Sequence, residues 1–196
     1  MNVHPTPIGW PAPMILFGGL VLFVALLLFA GKRAPEQGGS QRSAWSIVGI
    51  VVQMLAFVAV GAGPIWVALP PTSGPALLQA LLVLAFGGIT CGIFFASKRA
   101  MGRNWSLVAR TRSDHELVTW GPFAYIRHPI YSALFAWVIA MAVAFGHYRG
   151  LILGIPLYWI GTMLRVVEEE RLLRAEFGAA YDAYAARVKR FLPGIV

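Results

Sequence analysis

Five long stretches of almost uninterrupted apolar residues run along this 196-residue chain, and they restrict it to the folds of membrane proteins. They cover residues 14–30, 44–69, 76–97, 129–145 and 151–167. A helix needs about 17–25 apolar residues to cross a bilayer, so the first three stretches are long enough and the last two are at the short limit. With 58% hydrophobic and only 12% charged residues, the chain holds more apolar side chains than a soluble domain of this size could bury.

We therefore predict an all-α polytopic membrane protein with about five transmembrane helices. Residues 146–150 are the whole connection between the last two stretches, which predicts a tight helical hairpin. Gly-Ala-Gly-Pro at 61–64 predicts a kink in the second span. Beyond the fifth span, apolar residues at spacings of three and four predict an amphipathic cytoplasmic helix, which Pro193 ends. Its apolar face would hold Leu173, Phe177, Tyr181, Tyr184, Val188 and Phe191.

The positive charges predict how the chain is oriented in the membrane. Of the 16 Lys and Arg residues, 15 follow the first, third and fifth spans, and only Arg149 lies on the other side. The positive-inside rule then places the N-terminus outside and the C-terminus in the cytoplasm, and we expect a bacterial inner membrane. All eight Asp and Glu residues are also on the cytoplasmic side, so we expect a site there. The net charge of +8 would meet anionic lipid headgroups rather than nucleic acid.

Several kinds of site are excluded by the residues that the chain lacks. A single cysteine, Cys91, rules out an internal disulfide and a multi-cysteine metal cluster. The four histidines are scattered without ligand spacing, so we predict no metal site. Neither a phosphate-binding loop nor a dinucleotide-binding glycine motif is present.

Three segments concentrate the polar side chains that remain. Residues 102–106 are consistent with either an interfacial loop or part of a site. Residues 115–131 contain two His, two Tyr and an Arg, and His128-Pro129 is typical of a helix start. Near the end of the fifth span, Arg165 and Glu169 are four residues apart and share a helix face. They form either a surface ion pair or an inward-facing site, since charge beside an apolar span is costly.

Two motifs in this half of the chain resemble a known family. The pattern H-x-L-V-T-x-G-x-F-x-x-x-R-H-P-x-Y covers residues 115–131, and an Arg–Glu-rich segment at 165–170 is followed by F-G-x-x-Y-x-x-Y at 177–184. They occur in order, with a helical hairpin between them, and resemble the isoprenylcysteine carboxyl methyltransferase and phospholipid methyltransferase family. The resemblance covers about residues 102–193, while the first two spans carry no motif.

The resemblance implies a membrane methyltransferase that uses S-adenosylmethionine without a Rossmann domain. It implies that Glu169 contacts the cofactor and that Arg165 lies toward the methyl acceptor, so these two are the candidate catalytic residues. At the position of Phe123 the family often has Tyr, so stacking would survive without the hydroxyl. The remaining cofactor-binding residues implied are His115, Glu116, Leu117, Val118, Phe123, His128, Pro129, Ile130 and Tyr131.

The acceptor is left open by these residues. A lipid-tailed or prenylated carboxylate is already ionised at neutral pH, and an Arg can bind it bidentately without a base. A phospholipid headgroup amine would instead have to lose a proton. The third alternative is a membrane protein that has a structural or binding role and no catalytic activity. We expect residues 1–100, with three spans, and residues 101–196, with the catalytic region, to form one structural unit.

Overall fold

The computed structural model describes residues 5–29, 44–102 and 116–194. These residues form an all-α fold, as predicted, and the part described contains no strand beyond two isolated bridges. A short 3-10 turn, Gly121–Ala124, precedes the fourth helix. The helices are α1 (Pro11–Phe29), α2 (Ala44–Gly61), α3 (Gly74–Met101), α4 (Pro129–Phe145), α5 (Gly150–Phe177) and α6 (Ala179–Arg187).

Four of the helices are long and apolar enough to cross a membrane, namely α1, α2, α3 and α5. The fifth apolar helix, α4, has 17 residues and contacts all four of them. At about 1.5 Å per residue it is about 26 Å long, less than the roughly 30 Å of a hydrocarbon core. Pro129 occupies its first position and Gly146, with a φ of 70°, ends it. The helix α4 is therefore the short, central helix of the bundle.

The predicted kink in the second span is wrong, because α2 ends at Gly61. The chain that follows crosses the end of the bundle without helical structure, and Gly63 has a φ of 143°. Pro64 cannot supply the backbone N–H that a continuing helix needs. Residues 66–69 instead bond to the N-terminal segment, with Ile8 N donating to the carbonyl of Trp66 at 2.9 Å.

The fifth helix runs ten residues beyond the predicted end of its apolar stretch. Hydropathy falls after Val167, but the Arg, Glu and Leu residues that follow are good helix formers. Gly178, with a φ of 51°, ends α5 and separates it from α6. The single amphipathic helix predicted here is therefore wrong in its bounds. Leu173 and Phe177 belong to α5, and Phe191 lies beyond α6.

Glycines allow α2 and α5 to pack closely. A Cβ atom added at Gly161 would lie 2.7 Å from the carbonyl oxygen of Gly49, and one at Gly49 would lie 2.7 Å from that of Gly161. Nearer the other end, a Cβ at Gly150 would lie 2.7 Å from the carbonyl oxygen of Ala59. Small residues at such crossings let helix backbones touch. The relative position of α2 and α5 is thereby defined along most of their length.

Candidate active site

A C-terminal strap, residues 188–191, lies against the loop that leads into α4. The backbone N–H of Arg127 donates to the carbonyl of Lys189 at 2.7 Å, and that of His128 donates to Arg190 at 2.9 Å. The Ser132 hydroxyl donates to the carbonyl of Phe191 at 2.9 Å. These bonds bring the start of α4 and the strap together at one end of the bundle.

Glu170 is the buried centre of an ionic cluster at this end. Its carboxylate accepts from Arg127 Nη2 at 3.0 Å and from Arg190 Nη2 at 2.7 Å. Nε2 of His128 lies 3.2 Å from the same carboxylate. Arg127 also donates to the carbonyls of Ala185 and Val188, which ties the loop to the end of α6. Such a closed set of partners is what makes a buried carboxylate tolerable.

His128 lies between two carboxylates. Its Nδ1 atom is 3.6 Å from Oε2 of Glu169, and its Nε2 atom faces Glu170. Burial alone would lower the pKa of the imidazole, but the hydrogen bonds and charges of Glu169 and Glu170 outweigh it and raise the pKa. The imidazolium can donate from both ring nitrogens, so it satisfies both carboxylates at once.

Glu169, Tyr131 and Arg165 form the part of the site that remains partly open. The Tyr131 hydroxyl donates to Oε1 of Glu169, and Nη2 of Arg165 lies 4.0 Å from the same oxygen. The guanidinium carbon of Arg165 is 5.1 Å from the centre of the Tyr131 ring. The side chain of Glu169 is 25% exposed, against 5% for Glu170. The two neighbouring glutamates therefore differ, since one is enclosed by protein and the other can still meet a ligand.

The structure thus brings His128, Tyr131, Arg165 and Glu169 together, and the other described candidates lie in the segment from residue 116 to the first turn of α4. Glu116, Leu117 and Val118 are extended chain ahead of the 3-10 turn. Phe123 lies in that turn and accepts from the Tyr184 hydroxyl through its backbone carbonyl at 2.7 Å. Pro129 and Ile130 form the first turn of α4. His115 and residues 103–106 lie outside the described residues.

Tyr184 anchors α6 over the turn that holds Phe123. Its hydroxyl is partly buried, and burial raises its pKa to about 12 despite the opposing charge of Arg127. The phenol therefore stays protonated at neutral pH and remains a donor to the Phe123 carbonyl. This bond positions the 3-10 turn beside the site.

Four residues of the site were not identified from the sequence. Glu170 was visible only as one of three adjacent glutamates, Arg127 lay within the 115–131 motif but was given no role, and Arg190 resembled an ordinary cytoplasmic charge. Gln53 lies in α2, where no motif was found, yet its side-chain oxygen accepts from Arg165 Nη1 at 3.0 Å. A polar residue in an apolar span was the one available signal for Gln53.

An apolar groove of about 640 Å³ lies on the surface of the bundle next to this site. Residues of α5 line most of it, together with Trp45 at the start of α2. Trp159 and Met163 of the groove also pack against the cluster that contains Tyr131 and Phe191. The remaining lining residues are Ile160, Leu164, Val167 and Glu168. In the part of the chain described, no group of three metal-ligating side chains is present.

The fold and the site define a polytopic helical membrane protein with an ionic cluster at one end of its bundle and an apolar groove beside it. Residues 80–175, about half of the chain, match the sequence model of the Isoprenylcysteine carboxyl methyltransferase (ICMT) family. The match begins in α3 and ends near the end of α5, so it includes the whole hairpin and both glutamates of the site.

Several curated relatives are named protein-S-isoprenylcysteine O-methyltransferases. The chain is 32% identical over 113 residues to the protein-S-isoprenylcysteine O-methyltransferase of Schizosaccharomyces pombe, covering 56% of this chain and 48% of that protein. It is 36% identical over 87 residues to that of Tribolium castaneum, covering 42% of this chain and 30% of the relative. The chain therefore spans half or less of the length of these relatives.

The fold also resembles a solved structure, described as that of the eukaryotic intramembrane Ras methyltransferase ICMT without a monobody. The two share a TM-score of 0.58 at 20% sequence identity. The similarity covers 99% of this chain and 70% of the other. It extends to the first two helices, which carry no family motif, and confirms a polytopic membrane fold for the whole chain.

Proposed function

We propose that this protein is a membrane methyltransferase that transfers a methyl group from S-adenosylmethionine to the carboxylate of a lipid-tailed acceptor. The observation that carries the proposal is the cluster of Arg165, Tyr131 and Glu169 beside an apolar groove. One region of the protein thus contains three features: Arg165 as a cation for an acceptor carboxylate, Glu169 as an anion for a cationic cofactor, and an apolar surface for a tail. The names of the protein-S-isoprenylcysteine O-methyltransferases reported above describe methyl transfer to an isoprenylcysteine, which carries an apolar tail.

In this proposal Arg165 binds the acceptor. Its guanidinium is held against the Tyr131 ring, and the side chain is only 11% exposed. A carboxylate acceptor is ionised at neutral pH, so no residue has to remove a proton from it. Arginine binds carboxylates through two parallel hydrogen bonds, which orients the attacking oxygen as well as attracting it. The acceptor's apolar tail would lie along the groove that includes Trp159 and Met163.

Glu169 is the proposed cofactor contact. S-adenosylmethionine, when bound, supplies a methyl group on a positively charged sulfonium. The partly exposed carboxylate of Glu169 fits a cationic ligand, since His128 and Tyr131 hold it in place without enclosing it. The rest of the cofactor would be held by residues 115–118, Phe123 and residues 128–131. Methyl transfer between aligned partners depends chiefly on proximity and orientation, and a rigid cluster supplies both.

We further propose that the site opens to the cytoplasm of a bacterial cell, with the N-terminus outside and both halves of the chain in one unit. The distribution of Lys and Arg supports this orientation, and the site lies at the same end of the bundle as most of these charges. A cofactor from the cytoplasm and an acceptor from the bilayer would then reach the cluster from different sides. The close packing of α2 on α5 and of α3 on α4 supports a single unit.

The direct test is methyl transfer by the purified protein in lipid nanodiscs. Radiolabelled S-adenosylmethionine is supplied with N-acetyl-S-farnesylcysteine, and we expect label in a base-labile methyl ester. The carboxamide of the same compound, which keeps the tail but loses the charge, should accept no methyl group. Calorimetry should show cofactor binding without any acceptor.

Each other result contradicts a stated part of the proposal. Transfer to phosphatidylethanolamine in place of the prenylcysteine would show a headgroup amine methyltransferase. Absence of cofactor binding, in a sample that elutes as a folded particle, would show a membrane protein without this activity.

A further inference from the structure

Gln53 is a polar residue in the middle of the apolar helix α2, and it is buried with 2% of its surface exposed. Its side-chain oxygen accepts from Arg165 Nη1 at 3.0 Å, and its amide nitrogen donates to the Thr162 hydroxyl at 2.8 Å. Polar side chains within a membrane span are costly and commonly functional. Gln53 is therefore the direct connection from α2 to the proposed acceptor-binding arginine.

The chemistry of the partners determines which way the amide faces. An arginine guanidinium only donates hydrogen bonds, so Gln53 must present its oxygen to Arg165. The amide nitrogen then faces Thr162, whose oxygen accepts. Thr162 is fully buried one turn before Arg165 on α5, so both partners belong to the same helix. Gln53 thus bonds two successive turns of α5 in a single orientation.

The backbone packing brings Gln53 close enough for this role. A Cβ atom at Gly161 would lie 2.8 Å from both the backbone nitrogen and the Cγ atom of Gln53. One at Gly49 would lie 2.5 Å from Cγ of Arg165. Both glycines are therefore required by the helix contact, and they flank the hydrogen bond between Gln53 and Arg165. The guanidinium is held by α2 on one side and by the Tyr131 ring at 5.1 Å.

We propose that Gln53 is a positioning residue for methyl transfer, which orients the Arg165 guanidinium and leaves its positive charge for an acceptor carboxylate. The inference rests on the function proposed above. A carboxylate at position 53 could accept the same hydrogen bond, but it would add a second negative charge beside Arg165, which already lies 4.0 Å from Glu169, and weaken the attraction for an acceptor carboxylate. A neutral amide orients the cation without that competition. In this proposal α2 contributes to the selection of anionic acceptors, because the neutral side chain of Gln53 orients Arg165 without adding a negative charge beside it.

Two substitutions separate orientation from charge. Gln53→Leu keeps the side-chain size but removes the hydrogen bond, and we expect the acceptor KM to rise by on the order of 10-fold. Gln53→Glu keeps an acceptor for Arg165 but adds a negative charge, and we expect a larger loss in kcat/KM with N-acetyl-S-farnesylcysteine. Cofactor affinity, measured by calorimetry, should stay within about twofold in both, because Glu169 is untouched.

The chain supplies a matched control in Gln79, a second buried glutamine in a span. Gln79 accepts from the backbone N–H of Gly9 at 3.2 Å and donates to the carbonyl of Pro7 at 3.1 Å, at the opposite end of the bundle. Gln79→Leu should lower the thermal midpoint without changing the acceptor KM. Thr162→Val, which keeps Gln53 but removes its second partner, should show a smaller KM increase than Gln53→Leu.

The outcomes distinguish this inference from the function on which it rests. If wild-type protein methylates the prenylcysteine and Gln53→Leu has a wild-type acceptor KM and kcat, the positioning role is wrong and the function stands. The positioning role is also wrong if Gln53→Leu and Gln53→Glu only lower thermal stability and cofactor affinity together, as a packing defect would. If the wild type methylates only an amine, both proposals fail.

Discussion

The Nε2 atom of His128 lies 3.2 Å from Oε1 of Glu170, in a pair whose side chains are each 5% exposed. One residue precedes α4 and the other belongs to α5, so their contact joins the two helices of the hairpin at the end opposite to its turn. The strap holds the same pair through Arg190. The start of α4, helix α5 and the strap, which are distant in sequence, are thus joined through the carboxylate of Glu170 and the imidazole of His128.

The first prediction concerns pH. Because Glu169 and Glu170 raise the pKa of His128, its protonated form is favoured by folding. This contribution is fully present below the ordinary histidine pKa of about 6.5 and is lost as the pH rises through the raised value. The thermal midpoint in detergent should therefore fall with increasing pH above about 6.5. His128→Gln should flatten this dependence, whereas His147→Gln, at the other end of the bundle, should retain it.

The second prediction separates stability from function at adjacent glutamates. Glu170→Gln leaves Arg127 and His128 without the anion that balances them, and breaking a buried ion pair typically costs about 3–5 kcal/mol. Glu168→Gln is the matched control, since its partner Arg171 is 64% exposed, and it should cost at most about 1 kcal/mol. Thermal unfolding of both variants measures the difference. Equal midpoints would mean that Glu170 does not organise this end of the bundle.

The third prediction tests the proposed division of labour within the open cluster. Glu169→Gln should weaken cofactor binding, because a charge-assisted contact is worth about 1.5–3 kcal/mol, or roughly 10- to 150-fold. Arg165→Ala should chiefly reduce methyl transfer and leave cofactor affinity near that of the wild type. Calorimetry and single-turnover rates give the two readouts, with gel filtration as a check of folding. A loss of cofactor affinity confined to Arg165→Ala would reverse the two roles.

The fourth prediction concerns the contact between α2 and α5. Gly161→Ala introduces a Cβ atom 2.7 Å from the carbonyl oxygen of Gly49, which forces the helices apart and should cost about 1–3 kcal/mol. Since Gln53 lies at the same contact, the acceptor KM should rise as well. Gly88→Ala in α3, where no atom lies within 4 Å of the added carbon, is the control and should leave stability and KM unchanged.

The fifth prediction tests orientation by thiol labelling in a Cys91→Ala background, where Cys91 is the chain's single cysteine. An impermeant reagent should label Ser73→Cys and Tyr148→Cys in intact cells, because both lie at the end assigned to the outside. Glu176→Cys, at the exposed end of α5, should react only after permeabilisation. Labelling of Glu176→Cys in intact cells would invert the topology and place the site outside.

Much of the membrane fold could be predicted because the apolar stretches agree with the residues that begin and end helices. Pro129 and Gly146 mark α4, and the structure has α4 over the predicted residues. Hydropathy did not predict the end of a helix where the helix and its apolar stretch end at different residues. α5 continues through charged residues because helix formation needs no apolar side chain, and α2 stops at Gly61 because the following segment finds hydrogen-bond partners elsewhere.

Only those contacts of the site that follow from a local sequence pattern could be predicted. The spacing of Arg165 and Glu169 predicted a shared face, and their side chains do lie together at 4.0 Å. Glu170 could not be distinguished from its neighbours, since its partner Arg190 is twenty residues away in a segment whose apolar spacing predicted a helix rather than a strap. Gln53 and Arg165 are 112 residues apart, and their contact follows from the packing of two helices rather than from any motif.

The groove and the ionic cluster share α5 but are formed by different residues of it. Trp45, Ile160 and Leu164 line the groove, while the glycine contact between α2 and α5 involves the backbones at Gly49 and Gly161 and the side chains of Gln53 and Arg165, none of which lines it. The width of the groove can therefore be redesigned without altering the helix spacing that holds Gln53 against Arg165. Smaller side chains at Trp45 or Leu164 would admit bulkier tails, and larger ones would exclude them, with the same transfer chemistry. Under the proposed function, this separation would allow acceptor length to be engineered independently of the charges that bind the carboxylate and the cofactor.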